Sequence, residues 1–227
     1  MTLDSASLVH VDGATKSYGV GESRTTVLRR AQLTLARGET TSLIGVSGSG
    51  KSTLISLMAG LMVPDAGRVV VDGQDLAGLD ESARARLRAR RIGIVLQSGN
   101  LIPFLTAREN VELAIELAGG RHATARATEL LGGLGLDRRL DHQSRRLSGG
   151  EAQRVSLAVA MANEPDVLLA DEVAGELDES TAADVMDVIF GAWQSQGLTV
   201  LYVTHSAALA SRAQRRLQLR DGRVTAA

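Results

Sequence analysis

Short apolar segments separated by turn residues fill the first third of the chain and predict a series of β-strands. Within Val27–Ala36, apolar residues recur at every second position from Ala31 to Leu35, which is the period of a half-buried strand. Gly67–Val71 is rich in valine and is bounded by turn residues on both sides. The strands predicted in this part are Leu8–Val11, Val27–Ala36, Thr40–Ile44, Gly67–Val71 and Arg91–Leu96.

The middle of the chain has the pattern of helices, because Leu, Ala and Glu are frequent and β-branched runs are few. Thr106 and Glu109 have the spacing of a capping box, which predicts that a helix begins at this point. A second helix is predicted over Thr124–Leu134. We therefore expect residues 98–146 to form a helical insertion.

The last third returns to apolar runs of strand length, Val167–Ala170 and Leu198–Val203. Strands that alternate with helices predict βαβ units and a parallel sheet. We therefore expect a single α/β domain over residues 1–227, with its core formed by about 1–97 and 147–227. The helix between the two runs is predicted from an amphipathic stripe formed by Ala182, Val185, Met186, Ile189 and Trp193.

Composition narrows the class of protein. The 227 residues carry a formal net charge of −1, and aromatic residues are 2%, so nothing indicates nucleic acid as a partner. The absence of cysteine excludes disulfides and thiolate metal sites. No apolar run approaches the length of a membrane helix, and the N-terminus lacks the pattern of a secretory signal. We expect a soluble, cytosolic domain.

A glycine-rich segment after the third predicted strand matches the phosphate-loop pattern GxxxxGK[ST] in full. Glycines allow backbone N–H groups to surround phosphate oxygens, and the following helix N-terminus adds partial positive charge. The chain has only two lysines, and one of them is Lys51, where a compact ammonium can reach the β- and γ-phosphates. The Ser52 hydroxyl can bind Mg²⁺. The predicted phosphate-binding residues are Gly45, Val46, Ser47, Gly48, Ser49, Gly50, Lys51, Ser52 and Thr53.

Two carboxylates, Asp171 and Glu172, follow the apolar strand Val167–Ala170. Ligands bind at the carboxyl ends of strands in open α/β sheets. We expect Asp171 to hold Mg²⁺ through its hydration shell and Glu172 to orient or deprotonate an attacking water. Taken alone, the pair is a common way for a strand to end, and the phosphate loop is what favours the functional interpretation.

The segment Leu147–Glu151 has two interpretations that are compatible. Ser148 and Glu151 have the spacing of a capping box, which predicts a helix start. A capped helix start that contains Gly149 and Gly150 also leaves backbone N–H groups open to a phosphate.

With this segment the chain resembles the nucleotide-binding subunits of ABC transporters, because LSGGEAQR (Leu147–Arg154) is similar to their signature motif. Six motifs occur in the family's order over roughly residues 7–225. Under this resemblance Tyr18 stacks on adenine, Gln97 senses Mg²⁺ and the transmembrane partner, Asp178 faces the other subunit, and His205 contacts the γ-phosphate.

The resemblance implies the ABC ATPase fold: a P-loop core with a mainly parallel sheet, an N-terminal antiparallel β part and a helical subdomain. It implies ATP and Mg²⁺ as ligands, with Glu172, His205, Gln97 and Lys51 as catalytic residues. Ser52, Gln97 and Asp171 would bind the Mg²⁺ ion. The segment Ser148, Gly149 and Gly150 of a second ATP-binding subunit would close over the γ-phosphate. We expect a homodimer, and a heterodimer is the alternative.

A finer resemblance joins the chain to the subfamily of lipoprotein-release and macrolide-export systems. It is carried by the segments Gly19–Glu39, Asn100–Gly119 and Ala162–Glu172. This subfamily implies a permease as partner, a place on the cytoplasmic face of the cell membrane, and export or cell-envelope work.

Four departures from the family pattern leave every named catalytic group in place. Val173–Glu176 replaces Pro-Thr-Gly-Asn, Val159 stands at a usual arginine, Val46 at a common proline, and Ser206 at a usual acid. The altered stretch Val173–Glu176 keeps open a second interpretation, a regulatory or structural binder with impaired hydrolysis. A third, a nucleic-acid-binding ABC ATPase, would need a coiled coil or duplication. The arginine run Arg84–Arg91 is interpreted as a solvated helix face or, alternatively, as a docking surface.

Overall fold

A computed structural model describes residues 7–97, 101–172, 177 and 179–227. The ten strands assigned within these residues are β1 (Ser7–Tyr18), β2 (Thr25–Ala36), β3 (Thr40–Ile44), β4 (Ala66–Val71), β5 (Gln74–Asp75), β6 (Ile92–Val95), β7 (Val167–Ala170), β8 (Thr199–Val203), β9 (Arg215–Arg220) and β10 (Arg223–Ala226). The α-helices are α1 (Lys51–Met58), α2 (Glu81–Arg91), α3 (Ala107–Leu117), α4 (Ala123–Gly133), α5 (Gly149–Met161), α6 (Glu179–Gln196) and α7 (Ala207–Ala210).

The strands form two sheets, one antiparallel and one mainly parallel. One sheet is antiparallel with the order β2-β1-β4-β5, which confirms the N-terminal antiparallel part. The other has the order β10-β9-β3-β8-β7-β6 and is parallel from β9 to β6, with β10 antiparallel at its edge. Because parallel strands end at a common edge, the loops after β9, β3, β8, β7 and β6 lie side by side.

The parallel sheet separates two apolar cores. In β7, Val167 and Leu169 belong to the core shared with α1 and the antiparallel sheet, whereas Leu168 and Ala170 belong to the core beneath α3 to α6. Strands buried on both faces tend to be apolar at most positions, which explains why β7 and β8 are recognisable as apolar runs, although β3 in the same sheet buries Thr40, Thr41 and Ser42.

The helices begin where their caps predict. Thr106 caps α3 in a complete capping box with Glu109, and Ser148 does the same for α5 with Glu151. The predicted stripe on α6 is confirmed, because Ala182, Val185, Met186 and Ile189 are buried and Trp193 packs against the same core. Among the described helices, none is long and apolar enough to cross a bilayer.

Several elements differ from the sequence predictions or were not among them. The arginine run Arg84–Arg91 forms most of α2, and it is only partly a solvated face. Arg84 and Arg88 both pair with Glu81 and donate to backbone carbonyls. The strands β9 and β10 were not predicted, although β9 lies next to β3.

Candidate functional site

The glycine-rich loop connects the end of β3 directly to α1, at the edge of the sheet where the parallel strands end. Its shape depends on positive φ angles, +75° at Gly48 and +104° at Gly50. Gly50 also passes close to β2, since a Cβ atom there would lie 2.8 Å from Val27 Cγ1 and 3.1 Å from Leu28 Cδ2. Glycine at position 50 therefore satisfies both a backbone requirement and a steric one.

Lys51 points into the loop that precedes it. Its residue is only 5% exposed, and Nζ donates hydrogen bonds to the carbonyls of Gly45 (2.9 Å) and Val46 (3.0 Å). The ammonium thus lies inside the curve of the phosphate-binding segment, where a phosphate oxygen would compete for the same protons.

Asp171 and Ser52 come together beneath this loop. The Ser52 hydroxyl donates a hydrogen bond to the Asp171 carboxylate, which is buried at the end of β7. Burial raises the pKa of Asp171 above its ordinary value, and the neighbouring Glu172 charge raises it further, although Ser52 and Lys51 oppose the shift. A buried carboxylate beside a hydroxyl is an oxygen donor set suited to Mg²⁺, and a cation there would relieve the cost of burying the charge.

Glu172 and His205 form the second pair. Glu172 follows β7 with a positive φ of +54°, and its Oε1 lies 2.7 Å from His205 Nε2. The Glu172 side chain is 18% exposed and that of His205 is 53% exposed. The two residues are 33 positions apart in the chain, and they meet because β7 and β8 are parallel neighbours.

Gln97 belongs to the same edge of the sheet. β6 pairs with β7 in a register that sets Val95 opposite Ala170. Gln97 therefore follows β6 by two residues, as Glu172 follows β7, and it is exposed there. The structure thus brings the loops that carry Lys51, Glu172, His205 and Gln97 to one edge.

Tyr18 ends β1 and lies partly exposed next to the start of α1. Its hydroxyl is 3.3 Å from Thr53 Oγ1 and donates to Met62 Sδ at 3.4 Å. The Tyr18 hydroxyl therefore lies beside Thr53, the residue that follows Ser52, and its predicted role in adenine stacking stays a prediction.

The signature segment lies at the start of α5, with Ser148 and Gly149 exposed. Its described contacts run to α5 itself and to the start of α6: Ser148 bonds Glu151, and a Cβ on Gly150 would be 3.1 Å from Thr181 Cγ2. Asp178, predicted to face a second subunit, lies outside the described residues.

A large cleft beside the phosphate loop was not predicted. It measures about 1160 Å³ and is bounded by loop residues 46–49, the start of β2, and the turn between β9 and β10. Arg29, Arg220 and Arg223 are among its lining residues, whereas Asp171, Glu172 and His205 are not. A sequence signal existed, because Leu217 and Leu219 alternate with polar residues before an Asp221–Gly222 turn.

The fold and this edge define a phosphate-loop nucleotide-binding domain. The ABC transporter family model matches residues 28–175, and the chain belongs to that family. It is 47% identical over 220 residues to the ABC transporter ATP-binding protein YbbA of Escherichia coli (strain K12), with 96% of each chain covered. It is 44% identical over 223 residues to the lipoprotein-releasing system ATP-binding protein LolD of Geobacter metallireducens, covering 97% of this chain and 99% of LolD.

Among solved structures, the chain is similar to the ATP-binding cassette MJ0796 in a dimeric post-hydrolysis state bound to ADP and Pi. The TM-score is 0.90 at 37% sequence identity, and the match covers 95% of this chain and 96% of the other. This similarity confirms the predicted ABC ATPase fold.

Proposed function

We propose that this chain is the ATP-hydrolysing subunit of a membrane ABC transporter, in which ATP joins two copies and hydrolysis separates them. The observation that carries the proposal is the Glu172–His205 pair at 2.7 Å, on the sheet edge that also holds Lys51, Ser52 and Asp171. On this edge the Glu172 carboxylate can act as a general base toward an attacking water, once the His205 imidazole that it contacts turns to a phosphate in the loop.

Each residue has a distinct task in the proposed reaction. Lys51 exchanges its two carbonyl partners for oxygens of the β- and γ-phosphates, and Tyr18 stacks on the adenine. Glu172 accepts the proton of the attacking water, while His205 donates to the γ-phosphate as negative charge develops. Ser52 and Asp171, together with Gln97, would hold Mg²⁺. Bound there, the ion would neutralise phosphate charge.

The proposed site is completed by a second, identical copy. Ser148, Gly149 and Gly150 are exposed or partly exposed, and the first N–H groups of a helix lack intrahelical partners, so the segment can receive a γ-phosphate from another chain. The related cassette MJ0796 was solved as a dimer, which supports this arrangement. Asp178 would face the partner at the same interface.

The permease is proposed to dock in an apolar groove of about 290 Å³ between α2, α3 and α5. Leu61 and Leu117 line it and remain exposed, Leu117 to 74%. Val159, which stands at a usual family arginine, also lines it and makes it more apolar. A short amphipathic segment of a membrane partner fits such a surface. With the similarity to LolD, this supports export or cell-envelope work at the cytoplasmic face of the membrane.

Steady-state ATPase assays of the chain with its permease test the catalytic assignments. We expect Glu172→Gln to retain ATP binding, to lose at least about 100-fold in turnover, the scale of a missing general base, and to accumulate as a dimer. Lys51→Ala should abolish nucleotide binding. Hydrolysis by Glu172→Gln at the wild-type rate would refute the assignment of the base, and micromolar ATP affinity in Lys51→Ala would refute that of the phosphate loop.

Permease stimulation tests the groove. Leu117→Asp should remove stimulation while leaving the basal ATPase rate of the isolated chain unchanged. Val188→Asp is the matched control, because Val188 is an exposed apolar residue on α6, outside the groove. If the permease stimulated the ATPase rate of Leu117→Asp as strongly as that of Val188→Asp, the permease would dock elsewhere.

A further inference from the structure

Arg139 lies between α4 and α5 and contacts the signature helix. Its Nε donates a 2.6 Å hydrogen bond to Glu151 Oε1. The backbone around Arg139 is itself fixed, because its N–H donates to the carbonyl of buried Leu136 and its carbonyl accepts from the N–H of His142. The guanidinium is therefore presented to α5 from a well-anchored turn.

Glu151 connects this arginine to Ser148. Its second carboxylate oxygen accepts the Ser148 backbone N–H at 2.9 Å, and Ser148 Oγ accepts the Glu151 N–H at 3.3 Å. The Arg139 hydrogen bond, together with the one from Ser148, lowers the pKa of Glu151 to about 2, so this carboxylate is ionised at neutral pH. A full negative charge therefore lies within the first turn of the helix that is proposed to receive the γ-phosphate.

We propose that Arg139 is a positioning residue for ATP-dependent closure between two copies, acting through Glu151 on Ser148. This inference rests on the proposed function. Arg139 holds the carboxylate so that the capping box stays closed and the Ser148 hydroxyl and the Gly149 and Gly150 N–H groups face outward. Its charge also offsets that of Glu151, which would otherwise repel the incoming phosphate.

The test measures the dimer dissociation constant by analytical ultracentrifugation with ATP, in a Glu172→Gln background that prevents turnover. Adding Arg139→Met should weaken the dimer about tenfold, because in each of the two sites the Glu151 charge then lacks its counter-charge beside the incoming γ-phosphate. Adding Glu151→Gln to that variant should restore most of the loss, since glutamine can still accept the Ser148 N–H without carrying charge. Arg139→Lys should be intermediate, because it keeps the charge but not the planar donor.

Two further readouts separate positioning from loss of folding. The ATP affinity of the monomer should stay at the parent value, because the phosphate loop belongs to the other side of the site. The melting temperature should fall only modestly, by the contribution of the lost Arg139–Glu151 bond, with unfolding still cooperative. Arg126→Met is the matched control, since Arg126 pairs with Glu129 on α4 and with Glu164 beyond the C-terminal end of α5, at the opposite end of that helix from Ser148.

Each outcome decides between distinct conclusions. If the Glu172→Gln parent dimerises with ATP and Arg139→Met leaves the dimer dissociation constant unchanged, the inference about Arg139 is overturned and the proposed dimer stands. The same holds if Arg139→Met weakens the dimer and Glu151→Gln does not restore it. A parent that stays monomeric with ATP overturns the proposed dimer, and the inference with it. Equal weakening by Arg126→Met would also overturn a specific role for Arg139.

Discussion

Replacing Gly50 by alanine should damage the phosphate loop more than the same change at Gly48. Both residues have positive φ angles, so either alanine incurs about 1–2 kcal/mol for a left-handed backbone. Only at Gly50 does the new methyl group meet packed atoms, 2.8 Å from Val27 Cγ1 and 3.1 Å from Leu28 Cδ2, whereas nothing lies within 4 Å at Gly48. Overpacking of this kind costs a further ~1–3 kcal/mol.

The difference should appear in nucleotide affinity, because Gly50 immediately precedes the first turn of α1, which carries Lys51 and Ser52. An extra 1–3 kcal/mol corresponds to an ATP affinity about 5- to 150-fold weaker in Gly50→Ala than in Gly48→Ala. Fluorescence titration with an ATP analogue measures the affinity, and urea unfolding of both variants reports any global loss of stability.

A second substitution tests the steric cause directly. Val27→Ala removes the closest atom, so the double variant should recover part of the affinity lost in Gly50→Ala, with Leu28 limiting the recovery. Equal losses in the two glycine variants, or no recovery in the double variant, would refute the argument that the approach of β2 determines the residue at position 50.

Three other predictions concern groups buried or paired within the fold. Asp171→Asn should raise the melting temperature in Mg²⁺-free buffer at neutral pH while abolishing ATPase activity, because the raised pKa of Asp171 means that ionisation costs the folded state stability; an unchanged or lower melting temperature would contradict this. Ionised Glu151 stabilises the folded chain above its ordinary pKa of 4.5, and that contribution is lost as the pH falls toward about 2. Glu151→Gln should therefore flatten the pH dependence of urea unfolding across this window, and parallel profiles would count against the Arg139 contact. Tyr202→Phe should cost about 1–2 kcal/mol in urea unfolding, because the buried hydroxyl donates to the Leu209 carbonyl at 2.7 Å; a cost near zero would show that this bond contributes nothing.

The sequence predicts those parts of the fold in which local pattern and tertiary environment agree. β7 is visible because it is buried on both faces and all four of its residues are apolar. The starts of α3 and α5 are visible because their capping boxes are local. β9 was missed because its sequence RRLQLR has only two inward-facing leucines. The alternation of Leu217 and Leu219 is a weak local signal, and the place of the strand in the sheet depends on its pairing with β3 and β10, which is a long-range cause.

The candidate site also contains residues that a local motif predicts and contacts that only the tertiary fold produces. The phosphate loop is a contiguous motif with a fixed order, so its residues could be named from the sequence. The 2.7 Å contact between Glu172 and His205 depends on β7 and β8 being adjacent, and the Arg139–Glu151 contact depends on a turn folding back on α5. The division of the chain at about residues 97 and 147 stays a prediction, as do the catalytic roles.

The placement of β7 between two apolar cores has a mechanical consequence. Alternate residues of this strand pack on opposite sides. One set packs against the layer formed by α1 and the antiparallel sheet, and the other set packs against the layer formed by α3 to α6. A close-packed interior resists gradual deformation, so a push on either layer strains the strand that ends in Asp171 and Glu172. A displacement of either layer would therefore reach the end of β7, where Asp171 and Glu172, the carboxylates proposed to act in ATP hydrolysis, lie.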